Sequence, residues 1–129
     1  MPSTLISIRR QRPLEERRAI VEAVHAALVE AIRIPDQDRT VRLQTFAAEE
    51  FAVGPKATEN YTVVEVSLFT GRSLAAKRAL YQTLVRKLGE LGIAPLDVKV
   101  ILHEVPRENW GLRGGIPGSE IELGFKVEV

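Results

Sequence analysis

The sequence predicts an α/β (α+β) domain: two tandem β-α-β units forming one four-stranded sheet with two helices on one face. Three observations lead there. The first is an internal repeat. ISIRRQRPLEERRAIVEAVHAALVEAIRIPDQDRTVRLQTF, from Ile6, aligns with VSLFTGRSLAAKRALYQTLVRKLGELGIAPLDVKVILHEV, from Val66. Ser7 meets Ser67, Ile8 meets Leu68, Arg12 meets Arg72 and Leu14 meets Leu74. After a one-residue slip, Ile34 meets Ile93 and Asp38 meets Asp97. Two copies are too few for a solenoid, so the repeat is one unit used twice. The second observation is β-branched alternation at the start and end of each copy. The third is a helical apolar stripe in the middle of each.

The elements follow in order. STLISI reads as the first strand. Pro13 suits a first helical turn, and Ile20, Val24, Leu28 and Ile32 recur every four residues behind it. VRLQTF returns as a strand. AAEEFAVGPKATEN, with Gly54 and Pro55, is the linker between the units. YTVVEVSLF opens the second unit. Ser73 is a good N-cap, Leu80, Leu84, Leu88 and Leu91 form the second stripe, and Gly92 sits where a helix C-cap belongs. VKVILHEV is the last strand of the sheet. The first repeat spans about 2–47, the second about 61–105, and 106–129 is a glycine-rich tail with a short strand expected near GFKVEV. Within each unit the strands run parallel through a right-handed crossover. The strands carry apolar residues on both sides, so the face away from the helices is expected to be an apolar patch needing a partner. Hence an oligomer, with the tail crossing to a neighbour's sheet edge.

Composition narrows the function. The chain has 129 residues, 45% apolar and 27% charged, which suits a single domain over 1–129. A net charge of +1 favours neither nucleic acid nor an anionic membrane. Without cysteine there is no disulfide or thiolate chemistry. No apolar run approaches the roughly 20 residues of a membrane span, and the N-terminus lacks a signal-peptide core; a cytoplasmic location is expected. His25 and His103 lack metal-ligand spacing, and no metal or cofactor motif is present.

Pro2 raises the sharpest question. Proline gives a sheet no donor, yet once Met1 is removed it presents a secondary amine on a rigid ring at the start of a strand. Apolar burial or a nearby cation would favour the neutral amine, the form a general base requires. Arg72 in TGRS lies between a strand end and a helix start, where a guanidinium can grip a carboxylate through two bonds or simply meet solvent. Arg12 is its repeat mate.

The Met-Pro start, the doubled β-α-β unit and GRS entering the second helix together resemble the tautomerase superfamily. The second half, from TGRS through the aromatic-glycine turn, looks like one 4-oxalocrotonate tautomerase subunit. IPDQDR before a strand, and ENWG near the end, are similar to the trimeric malonate semialdehyde decarboxylase-like group. The resemblance implies a cofactor-free enzyme and a homotrimer acting on a small carboxylate. It implies that Pro2 is the catalytic amine, that Arg72 binds substrate and that Asp38 assists the proline. It further implies that Arg42, or its repeat mate Lys99, supplies a second cation and that Trp110 walls the pocket. Asn109 and Arg12 complete the candidate substrate-binding set. The decarboxylase group keeps a second arginine at the position of Thr70, so this chain departs there. The leading expectation is a tautomerase of 2-oxo acids or dienols. The alternatives are a decarboxylase or hydratase, and a non-catalytic small-molecule binding domain.

Overall fold

The computed structural model describes residues 2–124. The expected strand near GFKVEV falls on 125–129, outside the described residues. The main sheet is built from β1 (Ser3–Ile8), β2 (Val41–Thr45), β3 (Thr62–Phe69) and β4 (Val98–Val105), with helix α1 (Leu14–Ile32) joining β1 to β2 and α2 (Leu74–Gly89) joining β3 to β4. Their order is β2-β1-β3-β4. β1 pairs with β2, and β3 with β4, in parallel; β1 and β3 are antiparallel at the centre, with Ser3 opposite Ser67 and Ile8 opposite Thr62. The two repeats are thus related by reversal, and each helix enters from the opposite end of the sheet.

Both helical stripes point into one core. Ile20, Val24, Leu28 and Ile32 of α1 pack with Leu80, Leu84 and Leu88 of α2 over Ile6, Ile8, Val64, Val66 and Leu68 of the central strands. Burying each such side chain is worth about 1.5–3 kcal/mol. Leu91 departs from the expected stripe: the helix has ended and it is exposed, while Ile93 takes the core position. The reason is the helix terminus. Gly92 has φ +88, its N–H bonds the Gly89 carbonyl, and the Ile93 N–H bonds the Leu88 carbonyl. This reversal is a Schellman motif, and it needs the left-handed conformation glycine adopts freely. Ser73 caps α2 as expected, accepting from the Ala76 N–H at 3.1 Å. Pro13 instead stands at the N-cap of α1, one residue before the first helical turn.

The helix-free face corrects a second expectation. Alternation sends Val64, Val66 and Leu68 to the helices and leaves Val63, Glu65 and Ser67 on the other side. Across the register that face reads Arg42, Leu5, Glu65, Ile101 in one row and Gln44, Ser7, Val63, Lys99 in the next. A Glu65–His103 pair at 3.0 Å crosses it. The face is mixed, not an apolar patch, because the helix side consumes most of the apolar residues of VVEVSLF.

Beyond β4, the tail makes a 3₁₀ turn at Arg107–Asn109 and a small hairpin of β5 (Gly111–Leu112) and β6 (Ile116–Pro117). The RGG triplet is the tip of this hairpin. No helix among the described residues is long and apolar enough to cross a membrane.

Candidate active site

Pro2 is buried directly before β1. The antiparallel register carries the start of β1 alongside the last residues of β3, since Ser3 lies opposite Ser67. The parallel register carries it alongside the start of β2, where the Thr4 N–H bonds the Thr40 carbonyl at 3.0 Å. Three chain segments therefore converge on the Pro2 end: the turn bearing Asp38, the β3–α2 connection bearing Arg72, and the tail bearing Trp110.

Asp38 is half-buried in a turn closed by its own N–H on the Pro35 carbonyl at 3.0 Å. Two residues pin that turn to α1. His25, 1% exposed, bonds the Asp36 carbonyl through Nε2 at 2.8 Å; since a carbonyl only accepts, Nε2 carries the proton. Arg39 bonds Glu22 at 2.5 Å, and this bond is the main reason its guanidinium titrates above its ordinary value. Spacing in the sequence gives His25 no metal-ligand role; the structure shows that it anchors the Asp38 turn.

Arg72 is buried although it precedes the helix, with only 7% of its surface exposed. Its Nη1 donates to the Phe69 carbonyl at 3.4 Å. A guanidinium so enclosed loses hydration and gains from a nearby anion. Thr70, where the decarboxylase-like pattern has its second arginine, donates its N–H to the Val105 carbonyl at 3.4 Å, joining the ends of β3 and β4.

Trp110 meets Phe69 edge-to-face, ring centres 5.2 Å apart, a geometry favoured by the ring quadrupoles. Its indole N–H donates to the Val105 carbonyl at 3.2 Å. Arg107 completes this wall. Its guanidinium lies 5.5 Å from the Phe69 ring centre and Nη2 donates to the carbonyls of Gly118 at 3.2 Å and Ile121 at 3.0 Å. Gly118 is the contact point, its N–H bonding the Trp110 carbonyl at 2.8 Å. A Cβ there would lie 2.7 Å from the Arg107 carbonyl oxygen, so only glycine fits. Asn109 is exposed at the end of the 3₁₀ turn. Phe69, Arg107 and Gly118 were not singled out from the sequence; no spacing marks them, because Phe69 joins the tail only through tertiary contact.

Two candidates lie elsewhere. Arg12 sits at the opposite end of the sheet, a consequence of the antiparallel β1–β3 pairing. It is 5% exposed and held by Glu16 at 3.2 Å and Asn60 at 3.0 Å, so it does not join Pro2 within one chain. Arg42 is exposed on the helix-free face, level with Leu5. That is one row nearer the Pro2 end than Lys99, which is level with Val63 and Ser7. Among the described residues, no cluster of His, Asp and Glu is suited to a metal ion.

The same architecture recurs in known proteins. A crystal structure of FG41 malonate semialdehyde decarboxylase inhibited by 3-bromopropiolate superposes with a TM-score of 0.82 at 27% identity, covering 89% of this chain and 92% of that one. A fused 4-OT, the Q0 wild-type symmetric trimer, superposes with a TM-score of 0.78, also at 27% identity, over 90% of this chain and 95% of that one. The probable tautomerase YusQ of Bacillus subtilis is 24% identical over 121 residues, 89% of this chain and 95% of its own length. Tautomerase enzyme models match residues 38–113 and residues 4–60. The doubled unit, the shared fold and the family match over most of the sequence agree: the chain belongs to the tautomerase family.

Proposed function

We propose that this chain is a cofactor-free tautomerase of small 2-oxo acids or dienols, with Pro2 as general base once Met1 is removed. The observation that carries the reading is convergence. Pro2, Asp38, Arg72 and Trp110 come from four separate parts of the sequence and lie toward one end of one sheet. With a 2-hydroxydienoate, the Pro2 amine takes the 2-hydroxyl proton. The oxygen electron pair forms the C2 carbonyl, the double bonds shift, and the ammonium returns the proton to the terminal carbon of the shifted system. Arg72 holds the carboxylate and the charge developing at C2. The Phe69–Trp110 wall excludes water, which strengthens both interactions. Arg42 of a neighbouring copy supplies the second cation in a homotrimer; the trimeric fused 4-OT supports that assembly.

Asp38 favours a second reading, decarboxylation or hydration of a three-carbon oxo acid, in which its carboxylate positions a water. The structural likeness to malonate semialdehyde decarboxylase supports it, and Thr70 in place of an arginine counts against it.

Mass spectrometry of the N-terminus and an assay of phenylenolpyruvate, 2-hydroxymuconate and malonate semialdehyde test both. Pro2→Ala should slow ketonisation by on the order of a hundredfold, as loss of a general base does. A fully active Pro2→Ala protein, or a terminus that retains Met1 in active enzyme, defeats the proline mechanism.

A further inference from the structure

The reversed repeat builds a counterpart of the Pro2 end at the other end of the sheet. There the slip that pairs Asp38 with Asp97 also pairs Trp110 with Phe51, and Arg12 and Lys99 stand as mates of Arg72 and Arg42. Two adjoining clefts open at this end. One, of about 360 Å³, is lined by Phe51, Val53, Tyr61, Val63 and Lys99. The other, of about 380 Å³, lies under the linker and shares Gly54 and Tyr61 with the first.

The walls are held in place before any ligand arrives. Arg9 donates from Nε to the Phe51 carbonyl at 2.7 Å, from Nη1 to the Thr58 carbonyl at 3.2 Å, and lies 6.0 Å from the Phe51 ring centre. Asp97, 2% exposed, accepts from the Thr58 N–H at 2.8 Å and hydroxyl at 2.6 Å. Phe51 and Tyr61 meet edge-to-face at 6.2 Å. Lys99 forms no ion pair among the described residues, and it lines the cleft. The catalytic group is missing. Thr62 occupies the place of Pro2, and its nitrogen is an ordinary peptide N–H in mid-chain.

We propose that this cleft is a second, non-catalytic binding site for a small aromatic or apolar monocarboxylate. Phe51, Tyr61 and Val63 receive the apolar body and Lys99 pairs with the carboxylate. A volume of about 360 Å³ falls in the usual range of small-molecule sites. Rigid walls spare the ligand the cost of ordering them. The site has no amine with which to transform its ligand. It stands whether or not Pro2 is catalytic.

The test is a titration of the isotope-labelled full chain with 3-phenylpropanoate, which has no oxo or enol group, followed by backbone amide shifts. Saturable shifts are expected at Phe51, Tyr61, Val63 and Lys99. They should persist in Pro2→Ala and in Lys99→Arg, weaken at least fivefold in Lys99→Gln, and be absent with the neutral 3-phenylpropan-1-ol. Lys99 is exposed within one chain, so neither substitution disturbs that chain's own core. Shifts confined to the Pro2 end, shifts at Phe51 and Tyr61 that vanish in Pro2→Ala, or equal binding in Lys99→Gln would each overturn the proposal. Full activity of Pro2→Ala bears on the catalytic reading alone.

Discussion

Gly118→Ala isolates the wall behind Pro2. The added Cβ would lie 2.7 Å from the Arg107 carbonyl oxygen, 3.3 Å from the Trp110 Cβ and 3.4 Å from a Phe69 ring carbon. The first contact is with backbone, so no side chain can rotate away. Restoring an ordinary contact of 3.4 Å moves the hairpin away from the 3₁₀ turn by about 0.7 Å. That shift strains the Gly118 N–H bond to Trp110 and the Arg107 bond to Gly118. Overpacking of this kind costs about 1–3 kcal/mol, or a fall in Tm of roughly 4–12 °C for a domain of this size. Trp110 emission should shift to the red as its Phe69 contact opens. The value of kcat/KM should fall by about tenfold or more, since sub-ångström misplacement beside reacting groups is expensive. Gly111→Ala is the control: a Cβ there meets nothing within 4 Å, and Tm should hold within about 2 °C. Differential scanning calorimetry and fluorescence read both variants. If Gly118→Ala melts and emits like Gly111→Ala, the hairpin does not pack on Phe69 as described and the wall has no part in the site.

Arg72→Lys should raise KM for a 2-oxo acid enol nearly as much as Arg72→Ala, because the paired bond is lost in both; steady-state kinetics check this, and kcat falls as well if the guanidinium also stabilises the transition state. Asp97→Ala removes the acceptor of two bonds from Thr58 and should destabilise the fold by about 2–4 kcal/mol, read from urea unfolding; a loss below about 0.5 kcal/mol would show that the linker is not held there. His25→Phe fills the same volume but frees the Asp36 carbonyl, and should lower kcat more than Tm through the Asp38 turn; a proportionate loss of both would make His25 a packing residue only. Sedimentation at micromolar concentration should give a trimer, and a fully active 14.3 kDa monomer would refute the contribution of Arg42 from a neighbour.

Strands and helices were legible because their periods are local. STLISI and VKVILHEV became β1 and β4 to the residue, and the Ile20–Val24–Leu28–Ile32 stripe is fully in the core. Ser73 and Gly92 announced a cap and a reversal through backbone chemistry within a few residues. The expectation failed at a helix end and where neighbours across space decide. Leu91 keeps the helical spacing but lies past the helix end, and the apolar count of VVEVSLF says nothing about which face takes which residue. Arg12 looked equivalent to Arg72 because a repeat in sequence hides the direction in which each copy is laid down.

By itself the sequence determined the doubled β-α-β unit, through residue type and periodicities of two and about four, and it carried the family likeness that implied the candidate chemistry of Pro2, Asp38, Arg72 and Trp110. Only the tertiary structure decided which of the repeated residues meet. The antiparallel pairing of β1 and β3 sends one arginine of the pair to the Pro2 end and the other to the opposite end. Long-range contacts then turn Phe69, Arg107 and Gly118 into a wall. No local pattern encodes the contacts of Phe69 with this tail, because they depend on how strands far apart in the chain are paired.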